Sequence, residues 1–224
     1  MMYGTLLSPF LLLLGYSSAE VVPAILLSQM LGGLVGSFSH HANRNANFSE
    51  LKGDLRLVLV VFLLGMTSAT CGVLLASHIP GLYLKIYIAC LAIVMGLLCL
   101  ASFSYAFSWS KIALISILAS FNKSVTGGGF GPLCSTGLII GGVSSRLSVA
   151  VTTFSEVPLC FYAFVLYSFY NGLPASSIMM PLVCGSALGG VVGPIVCARV
   201  KPKILKLLVG VLAVICGAAL LLKL

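Results

Sequence analysis

Four glycines and a proline fall within six residues, Gly127-Gly128-Gly129-Phe130-Gly131-Pro132, in the middle of strongly apolar sequence. The apolar run 111–121 precedes them, and Leu133 to Ile140 follows, closed by Gly141-Gly142. That composition does not continue a helix, because glycine leaves the backbone unrestrained and proline removes a donor. Irregular backbone at membrane depth is tolerated only where protein or a water-filled cavity satisfies its polar groups. Secondary transporters build substrate sites at such breaks. The plainer alternative is a loop between two short interfacial helices.

Composition decides that a membrane is the right setting. The chain is 60% hydrophobic and 7% charged over 224 residues, with mean hydropathy +1.18. Soluble domains carry about 25% charged residues. The net charge of +8 fits two partners, nucleic acid or the cytoplasmic face of a bilayer. The basic residues lie between hydrophobic runs, which favours the positive-inside bias of a membrane protein and argues against nucleic acid. The eight cysteines sit mostly in apolar runs without a CxxC pair, as small buried hydrophobes rather than metal ligands or disulfides. No cofactor is implied.

The chain reads as an all-α polytopic membrane protein. Spans are expected at 19–38, 57–77, 83–103, 147–169, 177–198 and 207–222, with short segments at 3–14, 111–123 and 132–142. An internal repeat runs through them. Laying Tyr3-Gly4 on Phe130-Gly131 also matches Ser8 with Ser135, Gly15 with Gly142 and Ser28-Gln29 with Ser155-Glu156. In a slightly different register Gly72 falls on Gly193, Leu84-Lys85 on Leu205-Lys206 and Gly96 on Gly217. The repeats divide the chain into 1–103 and 104–224. Lys111 to Gly129 has no counterpart before Tyr3, so the first repeat lacks one half of its hairpin. Either the start lies upstream or the chain is a truncated member.

Charge fixes the expected topology. Arg44, Lys52 and Arg56 put the 39–56 loop inside. If 111–142 crossed the membrane once, the basic link Arg199, Lys201, Lys203, Lys206 would lie outside. If 111–123 and 132–142 form a re-entrant hairpin, Lys111, Arg146 and that link all lie inside, and the uncharged 171–174 turn outside. A hairpin plus three spans makes the two repeats inverted.

Only four acids occur: Glu20, Glu50, Asp54 and Glu156. Glu50 and Asp54 belong to the polar loop, and Glu20 opens a span. Glu156 lies well inside one, where an ionisable group is costly and by default functional. A proton carrier is one reading, and a carboxyl bonded to Thr152, Ser155 or a neighbouring helix for packing is the other. Lys123, near the hairpin tip, either pairs with Glu156, meets an anion, or snorkels to an interface. Backbone N–H groups opening the second limb, from Phe130, present donors and a positive dipole end. His40-His41 lacks further ligands at metal spacing. No nucleophile elbow or hydrolytic carboxylate pair argues for an enzyme.

The glycine-rich stretch with Gly141-Gly142, the small-residue helix start Val149 to Thr153, Pro23 to Gln29 and Ser39-His40-His41 together resemble the TauE/SafE family of sulfite exporters. The resemblance covers nearly the whole chain. It implies a secondary transporter in the inner membrane for sulfite, sulfonates or related small anions. The residues expected to bind substrate are Gly127, Gly128, Gly129, Phe130, Gly131, Pro132, Tyr3, Gly4, Ser28, Gln29, Thr152 and Ser155. Glu156 is expected to couple a proton and Lys123 to contact the anion. The expected partners are a small anion and the lipid bilayer, with a homodimer compatible. The alternative function is a non-transporting membrane subunit that binds a partner or lipid.

Overall fold

A computed structural model describes residues 3–42, 55–100, 109–140, 145–199 and 202–224. The polar loop residues Arg44, Glu50, Lys52 and Asp54, the Gly141-Gly142 pair, and Lys201 lie outside them. The described residues fold into helices α1 (Tyr3–Leu13), α2 (Ser18–Ala42), α3 (Leu55–His78), α4 (Gly81–Leu100), α5 (Trp109–Thr126), α6 (Phe130–Ile140), α7 (Ser145–Asn171), α8 (Ser176–Arg199) and α9 (Pro202–Lys223). No strand occurs among them.

Local chemistry sets the helix ends. Gly15 sits at φ +100° just past α1. There the Tyr16 N–H reaches the Leu11 carbonyl and the Gly15 N–H the Leu12 carbonyl, the paired bonds of a Schellman end that only glycine takes without strain. Glu20 has a structural task. Its carboxylate accepts from the Ser17 N–H at 3.1 Å and the Ser17 hydroxyl at 2.7 Å, so it closes a capping box at the start of α2.

Polarity is arranged inside out. Phe169, Leu188 and Leu222 are among the exposed apolar side chains, while Ser28, Ser116, Ser120, Ser124, Thr126, Thr152 and Lys123 are buried. Such a surface belongs in lipid. Among the described residues five helices are long and apolar enough to cross a membrane: those carrying Ser18–Ser39, Leu59–His78, Gly81–Leu98, Val151–Asn171 and Ser176–Gly193. Six full spans were expected. The sixth expected span falls on α9, whose described apolar run is Leu207–Lys223.

Packing follows small residues. α2 lies against α7 and α8, α3 against α5 and α7, and α4 against α9. At the α4–α9 crossing, a Cβ on Gly96 would stand 2.7 Å from the Gly210 carbonyl oxygen and 2.8 Å from Val214. A Cβ on Gly217 would stand 2.7 Å from the Ala89 carbonyl oxygen and 2.8 Å from Ile93. Only glycine lets these backbones approach so closely.

Candidate functional site

The helix break joins α5 to α6. Gly127 (φ +73°) and Gly129 (φ +82°) both take the left-handed conformation, which costs a non-glycine residue about 1–2 kcal/mol. Protein groups satisfy the freed backbone. The Gly127 N–H bonds the Lys123 carbonyl at 2.8 Å, the Gly128 N–H bonds Thr126 Oγ1 at 3.1 Å, and the Gly129 N–H bonds Thr5 Oγ1 at 2.9 Å. The Ser8 hydroxyl donates to the Thr126 carbonyl at 2.6 Å. This is the condition for irregular backbone within a membrane, and the break is no exposed loop: every residue from Asn122 to Gly131 is buried.

α5 supplies two of these acceptors and α1 the third, Thr5, with the first turn of α1 lying directly on the break. A Cβ on Gly128 would stand 2.6 Å from the Thr5 nitrogen and 2.7 Å from the Gly4 carbonyl carbon, and one on Gly4 would overlap the Gly127 carbonyl. Two short helices, α1 and α6, therefore begin beside one another at the centre of the molecule. Pro132 falls in the first turn of α6, where the missing N–H leaves no bond unmade.

One turn before the break, Lys123 is only 1% exposed. Its ammonium donates to Glu156 Oε1 at 2.7 Å and to Gln29 Oε1. The snorkelling alternative is thereby corrected: the ammonium turns inward because two acceptors meet it there. Glu156 bonds to a neighbouring helix rather than within its own. Its partner is Lys123, while the hydroxyls of Thr152 and Ser155, both buried, have no hydrogen-bond partner among the described residues. Thr152 precedes Glu156 by one helical turn, on the same face of α7.

Three helices thus deliver the cluster: α5 brings Lys123, α2 Gln29 and α7 Glu156. Tyr3 and Ser28 form an adjoining layer. Ser28 Oγ donates to the Ile25 carbonyl at 2.9 Å and lies 3.3 Å from the Tyr3 hydroxyl, which reaches the Leu182 carbonyl at 3.4 Å. Phe130 and Gly131 are buried at the head of α6. The backbone donors that open α6 are only partly available, since Pro132 has no N–H and the Leu133 N–H bonds the Gly129 carbonyl at 3.2 Å.

Four participants were not anticipated. Thr5 and Ser8 latch α1 to the break, and Cys160 lies beside Lys123 with Cys134 beside Thr152. The clue for Ser8 was its match to Ser135, whose hydroxyl likewise bonds backbone, the Gly131 carbonyl, at 2.6 Å. Cys160 falls one helical turn after Glu156 on the same face, whereas nothing in the sequence distinguished Cys134 from the other cysteines. Among the described residues no group of three or more His, Cys, Asp or Glu side chains is placed to hold a metal ion.

A family model described as Sulfite exporter TauE/SafE matches residues 1–220. No curated protein and no solved structure matches the chain.

Proposed function

The chain belongs to the sulfite exporter TauE/SafE family, and from that premise we propose that it is a proton-coupled secondary transporter in the inner membrane. It moves sulfite or small sulfonates through the junction of Lys123, Glu156 and Gln29. The observation that carries this reading is the buried ammonium. Sulfonate and sulfite oxygens need a cation and hydrogen-bond donors, and the Lys123 ammonium with the Gln29 amide and the Thr152 hydroxyl are donors of that kind. A subunit that served only to bind a partner or lipid would gain little from a charge pair at this depth, which is expensive to keep. Glu156 carries the proton, since a fixed carboxylate beside the anion would repel it.

The architecture proposed for this task is two inverted repeats, 1–103 and 104–224, the first lacking one half-hairpin. Exchange of repeat partners supports it. The exchange carries Gly96 against Gly210 and Val214 into Gly217 against Ala89 and Ile93, two contacts with equal spacings. It carries Gly32 on Ser186, 2.9 Å, into Leu159 on Gly65, 3.4 Å. Gln29 and Glu156, themselves repeat partners, meet on one ammonium. Inverted repeats place substrate sites at their interface near the bilayer midplane.

The test is flux. Purified chain in proteoliposomes is expected to take up labelled sulfite or methanesulfonate in preference to acetate and chloride, and Lys123→Met to abolish that uptake. Flux of none of these anions by the wild type refutes the reading.

A further inference from the structure

Resting on that transport reading, we propose that Lys123 is a single counter-charge for which the substrate anion and the Glu156 carboxylate compete. Each anion then binds together with one proton, and transport is an electroneutral proton–anion symport for monoanions. Proton coupling alone leaves open whether the proton travels with the anion or against it. The geometry points to one of the two.

The exchange at the site balances as written. The ion pair of Glu156 carboxylate with Lys123 ammonium takes up one proton and one anion. Glu156 becomes a neutral carboxylic acid, and the anion takes its place on the ammonium. No bond other than the new O–H of Glu156 forms, and net charge at the site is zero before and after.

Antiport requires two different states. In one, the anion sits on Lys123 while Glu156 remains ionised, two negative charges against one positive. In the other, Glu156 is protonated and no anion is present, so the ammonium stands alone. Both leave an uncompensated charge among side chains withdrawn from solvent: Lys123 is 1% exposed and Glu156 16%. Such a state is disfavoured by a factor on the order of a hundred or more. Symport passes through neither.

The surroundings supply no other charge to change this balance. Among the described residues, α7 contributes Cys160 besides Glu156, α6 contributes Cys134, α1 the Tyr3 hydroxyl and α2 the uncharged Gln29. On α4, Tyr87 donates to Asn122, one residue from Lys123, and α3 offers α5 glycine faces and the Ser68 hydroxyl. Gln29 has a second use, because its carbonyl holds the ammonium while its amide N–H₂ is a donor for an oxyanion oxygen.

The experiment uses the full chain in proteoliposomes, with methanesulfonate, a fixed monoanion, as probe. For the wild type, uptake is expected to alkalinise the outside by one proton per anion and to carry no current. Glu156→Gln mimics the protonated acid permanently. It is expected to exchange labelled for unlabelled methanesulfonate across the membrane, yet to lose net flux about a hundredfold, because the empty carrier would return with a bare ammonium. Wild-type uptake with inward negative current and no proton movement overturns the symport and leaves the transport reading standing. So does Glu156→Gln with undiminished net flux and the wild-type pH profile. Absence of any wild-type methanesulfonate or sulfite flux overturns both together.

Discussion

Gly128→Ala adds one methyl group at the point where α1 meets the helix break. The new carbon would stand 2.6 Å from the Thr5 nitrogen, about 0.8 Å inside the 3.4 Å where ordinary contact begins. The obstructing atoms are backbone of Gly4 and Thr5, so no rotamer change relieves the overlap. Either α1 moves by most of that distance or the break opens. Overpacking of this kind costs about 1–3 kcal/mol. The same displacement stretches the Thr5–Gly129 bond, now 2.9 Å, beyond a normal hydrogen bond. Gly129→Ala is the natural comparison. It meets only the flexible end of the Leu91 side chain, at 3.3 Å, which gives way easily, so its main cost is the left-handed strain of about 1–2 kcal/mol. We expect Gly128→Ala, and more so Gly128→Val, to insert in the membrane but to lose anion flux in proteoliposomes. Gly129→Ala should retain a fraction of flux with a lowered unfolding temperature, whereas Gly129→Val should abolish it. Wild-type flux and unfolding temperature in Gly128→Val would mean that the close approach of α1 has no bearing on function, and that the glycines are only a linker.

Lys123→Met should destabilise the detergent-solubilised protein by about 3 kcal/mol, the low end for a broken buried pair because Glu156 keeps some exposure. The double variant Lys123→Met/Glu156→Met should recover most of that stability in thermal unfolding but not transport, and flux in the double variant would reduce the pair to a packing role. Thr5→Val leaves the Gly129 N–H without its acceptor and should cost about 1–3 kcal/mol, whereas Thr5→Ser should cost far less; equal unfolding temperatures would count against the latch. Cysteine accessibility in a cysteine-free background should place positions 44–52 and 199–203 on the cytoplasmic side and 172–174 on the other. Asn171 and Lys201 labelled from the same side would exclude the inverted topology.

The helices were legible in the sequence because apolar periodicity and glycine or proline punctuation act over short distances. The 126–132 break, the short α1 and the ends of α3 and α7 all follow from such local patterns. The Lys123–Glu156 pair was legible as an option, since each residue stands alone in apolar surroundings and an isolated charge there demands a partner. Which option Lys123 takes depends on the packing of α2 and α7 around α5, and a sequence of segments does not order them in space. The latch of Thr5 on Gly129 was hidden for the same reason: a threonine in a short apolar helix shows its purpose only once that helix lies across the break. Gln29 was reached through its match with Glu156, where the repeat supplied spatial information that composition lacks.

Equilibrium binding of labelled sulfite to the purified chain addresses most directly whether Lys123 holds the anion. The wild type should bind saturably. Lys123→Met/Glu156→Met, verified as folded by its unfolding temperature, should show no saturable binding. Binding by the double variant with wild-type affinity would contradict the placement of the substrate at this junction.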